Sequence, residues 1–355
     1  MIWADLGFTI VKILLVFFVV LTLVAYLTLA ERRVSAFIQD RLGPNRVGPF
    51  GFLQPLADGV KFIFKEDIIP KDASKYIYIA APAFSLVTAL IALAVVPIGR
   101  GFETTLFGLL SEPLFVKFQI ADLNVGVLYI LAIGSLGVYG VVLGGWASNS
   151  KYSFLGGLRA AAQMVSYELA LGVSILGIIM WTGSMRLSDI IEAQQHYWFV
   201  FPQILGFIVF LAAVFAETNR LPFDMPEAEP EIVAGYHTEY SSMKFAMFFM
   251  AEYTHMIVMS CLIVALFFGG WYPLPFGGWF GIDIDTHWYL PPLVFVGKVL
   301  TFLFFFIWVR FTLPRFRYDQ VMSLGWKVLF PIAILNLVVI AVAILVMQHY
   351  GVLGF

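Results

Sequence analysis

The chain concentrates its acidic side chains in one segment, residues 216–240, which reads AETNRLPFDMPEAEPEIVAGYHTEY. The segment holds one arginine, Arg220, and six carboxylates: Glu217, Asp224, Glu227, Glu229, Glu231 and Glu239. Acids at this density indicate a segment that handles protons or cations, or one that docks a basic partner. The alternative is a run of charges that is simply solvated. Apolar residues such as Leu221, Phe223 and Ile232 interleave with the acids. This mixture predicts a loop that packs against protein, which favours the functional interpretation.

Two further glutamates, Glu168 and Glu252, stand inside long apolar runs. Each lies about eight residues, or roughly 12 Å at 1.5 Å per residue, from the same end of its run. An ionised acid at such depth in a membrane costs about 2.5–3.5 kcal/mol on insertion scales. The matching depth predicts a shared interior pocket whose acids load and release protons. The alternative is that each acid pairs with a neighbouring base or hydroxyl and holds helices together.

The remaining acids at the ends of apolar runs extend this arrangement. Glu31 closes the first run and Glu217 closes the fifth, so together with the loop they form a ladder toward Glu168 and Glu252. A ladder of carboxylates is the outline of a proton wire. Three side chains are candidate hydrogen-bond neighbours of the acids: Tyr167, Tyr253 and His255. An isolated histidine is more often a packing residue, and Lys298, inside the seventh run, is either a partner for an acid or a member of the relay.

Segment 29–67 mixes arginines with aromatic residues. The arginines are Arg32, Arg33, Arg41 and Arg46, and the aromatic residues are Phe37, Phe50, Phe52, Phe62 and Phe64. At a membrane surface this mixture predicts a crevice between segment 29–67 and the acidic loop for an amphiphile with a polar head, in which Ala36 is a small position. Contact with lipid headgroups and a docking surface is an equal alternative.

The composition places the chain among membrane proteins that cross the bilayer many times. Hydrophobic residues make up 61% and charged residues only 12% of the chain, too few charges for a surface that faces water. A single cysteine, Cys261, excludes disulfides, cysteine-bound zinc and iron–sulfur clusters within this chain. Phosphate-binding glycine loops and HExxH motifs are also missing from the sequence. The sequence therefore predicts no redox chemistry by this chain alone.

Apolar runs of about 20 residues predict eight transmembrane helices in an all-α fold. They cover residues 8–30, 77–98, 122–147, 162–183, 200–217, 245–270, 290–312 and 327–348. Lys and Arg concentrate after the odd-numbered runs, so the positive-inside rule places both termini outside. We expect one transmembrane domain, residues 1–355, with cytoplasmic loops at about 31–76, 148–161, 218–244 and 313–326. The acidic loop departs from that rule, which again favours a function for it.

Four stretches resemble one family over essentially the whole chain. They are residues 29–67, WASNSKYSFLGGLRAAAQMVSYE at 146–168, the acidic segment together with MAEY at 250–253, and PRFRYDQVMSLGWK at 314–327. This pattern is similar to the membrane subunit of respiratory complex I, the proton-translocating NADH:quinone oxidoreductase. The family is known as the H subunit in bacteria and as NADH dehydrogenase subunit 1 in mitochondria.

The resemblance implies an eight-helix subunit at the junction of the hydrophilic and membrane arms. Such a subunit forms much of the quinone-access chamber and the first part of the acidic proton path. It binds no cofactor itself: quinone is the substrate, and NADH, FMN and the iron–sulfur clusters belong to partner subunits. The implied partners are the hydrophilic-arm subunits next to the terminal cluster, other membrane-arm subunits and the lipid bilayer, with no nucleic acid. The implied location is the bacterial plasma (inner) membrane.

The resemblance also assigns expected roles to individual residues. The proton relay comprises Glu168, Glu217 and Glu252, and the acidic path comprises Asp224, Glu227, Glu229, Glu231 and Glu239. Glu31 joins that path not through the resemblance but through its place in the ladder of acids. The quinone chamber comprises Arg32, Gln39, Arg41, Arg220 and Phe223. Some relatives carry a further glutamate in the third span, where this chain has Ser135.

Two alternatives compete with this interpretation. The membrane anchor of a related energy-converting hydrogenase shares the spans and buried acids, but the long segment 29–67 and the RYDQ sequence favour the quinone enzyme. A stand-alone secondary transporter is disfavoured because the sequence has no evident inverted repeat.

Overall fold

The structure, a computed structural model, describes residues 2–104, 114–275 and 287–350. Its helices are α1 (Ile2–Ile38), α2 (Gln54–Phe64), α3 (Lys75–Ala92), α4 (Gly126–Ala147), α5 (Lys151–Thr182), α6 (Leu187–Glu192), α7 (Ile204–Glu217), α8 (Glu229–Ile232), α9 (Ser242–Phe267), α10 (Leu290–Thr312), α11 (Tyr318–Leu324) and α12 (Phe330–His349). Two short strands, β1 (Phe102–Thr104) and β2 (Leu114–Val116), pair antiparallel with Phe102 opposite Val116. The predicted all-α class is confirmed, with this pair as the one departure in the described part.

Seven helices within the described ranges are long and apolar enough to cross a membrane. They are α1, α3, α4, α5, α9, α10 and the continuous stretch Tyr318–His349 that joins α11 to α12 through a π-helical turn. The remaining predicted span, 200–217, forms α7, which has only 14 residues, fewer than the roughly 20 needed for a full crossing. The chain turns just before α7, where the Val200 amide donates to the Phe267 carbonyl at 3.0 Å. This bond ties the start of the predicted span to the end of α9.

Helix α9 forms the centre of the bundle. Apolar residues lie on all sides of this helix, a pattern typical of a fully buried helix. In its most apolar stretch 78% of the residues are buried. Helix α3 packs on α4 and α9, and α5 packs on α4, α7 and α12. Glycine allows the closest approach between α3 and α4, since a Cβ at Gly140 would lie 2.0 Å from Ser85 Oγ.

The acidic loop between α7 and α9 is folded onto this bundle. Gln163 of α5, fully buried, donates to the carbonyls of Ala216 and Phe223, each at 2.7 Å. Gly235 has φ of +58°, and a Cβ there would lie 1.6 Å from the Pro226 carbonyl oxygen, so this turn requires glycine. The prediction of a packed loop is confirmed. The predicted orientation in the membrane stays a prediction.

Candidate functional site

A cavity lies between α3, α4, α5, α9 and the end of α7. Its polar lining consists of Ser85, Thr88, Glu217, Thr218, Asn219, Tyr236, Glu252 and His255. The other described lining residues are apolar or glycine. Two of the three predicted relay acids therefore share one chamber. The third, Glu168, is half-buried on α5 beside Ser135 and close enough for the charge of Glu217 to act on it.

Glu217 is the last residue of α7 and is buried. Its Oε1 atom lies 3.6 Å from Nε2 of His255, longer than a good hydrogen bond. Its Oε2 atom, also buried, has no hydrogen-bond partner in the described part of the chain. The carboxyl group thus faces the cavity with capacity for further hydrogen bonds.

Glu252, in the middle of α9, has a partner from the acidic loop. The hydroxyl of Tyr236 donates to its Oε1 atom at 2.8 Å. Burial, followed by the nearby charge of Glu252, raises the pKa of Tyr236 well above its ordinary value, so the tyrosine stays a neutral donor. Sequence reasoning missed Tyr236. The available signal was its place in the acidic loop, directly after the glycine that the turn requires.

Glu31 occupies a separate buried cluster. Arg310 donates to its Oε1 atom, and the Tyr253 hydroxyl donates to Oε2 at 2.6 Å. Arg220 is also buried, with Nη1 3.7 Å from Glu31 Oε2 and its guanidinium 4.2 Å from the centre of the Tyr253 ring. Two arginines offset the charge of Glu31, so this acid matches the alternative of a paired group that holds elements together.

The loop acids divide into an inner and an outer group. Asp224 accepts from Arg315 at 2.8 Å and is buried. Burial raises the pKa of Asp224 to about 7, with Glu227 adding to the rise and Arg315 opposing it. Glu227 Oε1 lies 3.9 Å from His237 Nδ1, and the charges of Asp224 and Glu227 both act on Tyr236. These two acids form the inner group.

The outer group lies at the edge of the loop. Glu231 is exposed and accepts from Arg159 at 2.6 Å. Glu239 is half-buried, and its backbone carbonyl accepts from the Tyr78 hydroxyl at 2.6 Å. The side chain of Glu229, at the start of α8, lies outside the described residues.

The five residues predicted for the quinone chamber fall into two places. Arg32 pairs with Asp58 at 2.6 Å, and Arg41 donates to Gln39 at 2.7 Å, all near the exposed end of α1. Arg220 belongs to the Glu31 cluster. Phe223 is buried, with its ring centre 5.5 Å from the centres of both the Tyr167 and Phe316 rings. The small position Ala36 is fully buried, so it does not line an open crevice as expected.

Lys298 of α10 lies against the end of α9. Its ammonium group donates to the carbonyls of Phe268, Gly270 and Tyr272 and lies 4.3 Å from the ring centre of Trp198. Carbonyls just beyond a helix end carry partial negative charge, and these follow α9. Within the described residues Lys298 has no acidic partner and caps the end of α9, and its two predicted roles stay predictions.

Comparison with known proteins gives one consistent result. A model of the family described as NADH dehydrogenase matches residues 11–341. An H subunit of the NADH-quinone oxidoreductase of Geobacter metallireducens is 53% identical over 94% of this chain and 96% of its own length. The H subunit of the NADH-quinone oxidoreductase of Leptospira biflexa is 54% identical over 90% of both chains. The NADH-ubiquinone oxidoreductase chain 1 of Chondrus crispus is 50% identical over 91% of this chain and 93% of its own length.

Proposed function

Because the chain belongs to the NADH dehydrogenase family, as a membrane subunit of an NADH-quinone oxidoreductase, we propose that the cavity lined by Glu217 and Glu252 conducts protons during quinone reduction. In this proposal Glu217 and Glu252 carry the proton, with Glu168 beside them. Partner subunits hold NADH, FMN and the iron–sulfur clusters, and quinone is the substrate. The assembly lies in an energy-transducing membrane, which we infer to be the bacterial plasma membrane.

The shared cavity is the observation that carries this proposal. Glu217 and Glu252 reach it from two different helices, and its remaining walls are largely apolar. A proton that crosses such a chamber has few groups to occupy besides these acids, their polar neighbours and water. Buried acids in a membrane interior are costly, so two acids on one chamber favour a function over packing.

The acidic loop supplies the route from the aqueous side. Tyr236 bonds Glu252 directly, and the inner acids Asp224 and Glu227 lie near that tyrosine. With a pKa raised to about 7 by burial, Asp224 gains and loses a proton near neutral pH. Protons therefore pass from the inner group through Tyr236 to Glu252 and on to Glu217.

Quinone approaches in this proposal from the exposed end of α1 and from α2. One face of α2 exposes apolar side chains, namely Leu56, Val60, Ile63 and Phe64, and Leu53 just before the helix is exposed as well. Arg32 and Arg41 lie close by in sequence at the end of α1. An apolar helix face beside arginines suits an isoprenoid tail with a polar head.

The proton path is tested by replacing the acids with their amides. We expect Glu217→Gln, Glu252→Gln and Glu168→Gln each to lower coupled quinone reductase activity at least about tenfold, because an amide keeps the shape but cannot relay a proton. Activity and proton translocation are measured in membrane vesicles. NADH oxidation by a hydrophilic artificial acceptor serves as the control for assembly.

The exposed Glu192, at the end of α6, offers a matched control variant, Glu192→Gln, that should behave as wild type. Alanine at the three relay positions should impair assembly more than glutamine does, because it removes the hydrogen-bonding groups of a low-dielectric interior. Wild-type rates and proton translocation in all three glutamine variants would falsify the proposed path.

A further inference from the structure

We propose that His255 exchanges protons with Glu217 and is a further member of the relay. This inference rests on the proposed function and adds a group to it. Among the described residues that line the cavity, His255 is the one basic side chain. An imidazole is the side chain best suited to take and return a proton near neutral pH.

The geometry leaves the two groups facing each other with unmet hydrogen-bonding capacity. Nε2 of His255 lies 3.6 Å from Oε1 of Glu217, and the side chains are only 13% and 4% exposed. Nε2 of His255 and Oε2 of Glu217 are both buried and have no hydrogen-bond partner in the described part of the chain. Leaving a buried polar atom unpaired costs about 1–3 kcal/mol, so a water or a small shift that joins the two groups is favoured.

Helix α4 leaves room in front of this pair. Gly134 faces it directly, since a Cβ there would lie 3.5 Å from Glu217 Oε1 and 3.7 Å from His255 Cε1. A larger side chain at this position would contact both groups directly. The cavity is continuous from this point to Glu252 and Tyr236.

The titratable groups around the pair are acids and a phenol. Glu252 of α9 and Tyr236 of the acidic loop line the same cavity, and Glu168 of α5 lies close enough for the charge of Glu217 to act on it. Helices α3 and α4 contribute hydroxyl groups and glycine to the lining: Ser85, Thr88, Gly134 and Gly137. A proton held on His255 is therefore surrounded by groups that stabilise positive charge.

The transfer conserves atoms and charge. The O–H bond of protonated Glu217 breaks and an N–H bond forms at Nε2 of His255, so a neutral pair becomes a carboxylate and an imidazolium. The net charge of the pair stays zero in both forms. The interior thus avoids the large cost of a lone buried charge while the proton moves.

The test compares His255→Gln with Glu217→Gln in the assembled complex in membrane vesicles. Glutamine keeps a hydrogen-bonding amide but cannot exchange a proton. We expect His255→Gln to lower proton-coupled quinone reduction about tenfold, below the 10²–10⁴ typical of catalytic acids and bases because water can bridge the gap. We also expect the shape of its pH–activity profile to differ from that of the wild type. The exposed His196 provides the matched control, His196→Gln, which should behave as wild type.

The double variant decides whether the two groups act in one step. Glu217→Gln with His255→Gln should be no slower than Glu217→Gln alone, and effects that multiply would overturn the pairing. Wild-type rate and pH profile in His255→Gln, beside a defective Glu217→Gln, would overturn this inference and leave the proposed function standing. Wild-type behaviour of both single variants would overturn the proposed function itself.

If His255→Gln does not assemble, infrared titration of the complex with isotope-labelled histidine replaces it. A histidine band that titrates in the wild type and shifts in Glu217→Gln is the expected result. The absence of any shift would overturn the pairing.

Discussion

At the scale of single residues, Asp224 links the stability of the acidic loop to pH. Burial raises its pKa to about 7 from the ordinary value of 3.8, so the folded chain binds this proton more tightly than the unfolded chain does. The stabilisation by the bound proton is complete below about pH 3.8 and is lost as the pH rises through about 7. Above that range the ionised carboxyl keeps the support of Arg315 and of the nearby charge of Arg310.

We therefore expect wild-type complex to melt at a lower temperature at pH 8 than at pH 5.5, and Asp224→Asn to reduce that difference, because asparagine does not titrate. Thermal unfolding of the purified complex at the two pH values measures the effect. Asp319→Asn, at an aspartate whose side chain is 72% exposed, is the matched control and should leave the difference unchanged. An equal pH dependence in Asp224→Asn and wild type would contradict the assignment.

At the scale of elements, two glycines of α5 differ in their surroundings: close packing requires glycine at Gly156 but not at Gly172. A Cβ at Gly156 would lie 2.6 Å from the backbone nitrogen of Tyr236 and 2.7 Å from the backbone of Gly235. Backbone atoms cannot rotate away as a side chain can. At Gly172 a Cβ would meet nothing within 4 Å.

Gly156→Ala should thus push the loop away from α5, lengthen the bond between Tyr236 and Glu252, and lower both the melting temperature and the coupled reductase rate. Overpacking of this kind costs about 1–3 kcal/mol. Gly172→Ala, on the same helix, should be neutral or stabilise by about 0.5–1 kcal/mol. Thermal unfolding and reductase assays compare the two variants, and equal behaviour of both would rule out the close contact.

At the scale of the whole molecule, the apolar face of α2 is exposed in this chain. Gly59 lies on α2 and is exposed, and a Cβ added at this glycine would meet nothing within 4 Å. Bulk added at Gly59 therefore has room, whereas the fully buried Ala36 has none. Gly59→Trp should raise the Michaelis constant for long-tailed quinones more than for short, water-soluble analogues, because only the long tail needs this surface.

The measurement is quinone reductase activity with quinones of both kinds, with NADH oxidation by hydrophilic acceptors as the control for assembly. Equal loss with every quinone would indicate a general packing defect. An unchanged Michaelis constant for long-tailed quinones would place their approach on another surface.

The sequence predicts the spans well because the bilayer sets their length, and long apolar runs are visible without tertiary information. Helix α7 is the exception. The predicted span begins at residue 200, but the Val200 amide bonds to the carbonyl of Phe267 at the end of α9, and the helix begins only at Ile204. Contacts of the acids are harder to predict. Tyr236 and Glu252 are 16 residues apart, but they meet only because Gly156 and Gly235 allow the loop to approach α5.

The cluster around Glu31 sets an order of events during synthesis. Arg310 follows Glu31 by 279 residues, which corresponds to about 14–56 s of translation at 5–20 residues per second. Until the seventh predicted span emerges, the acid at the end of α1 lacks this cation. The cluster therefore closes only once the seventh predicted span has been inserted, so its formation reports a late stage of insertion rather than the folding of any single helix.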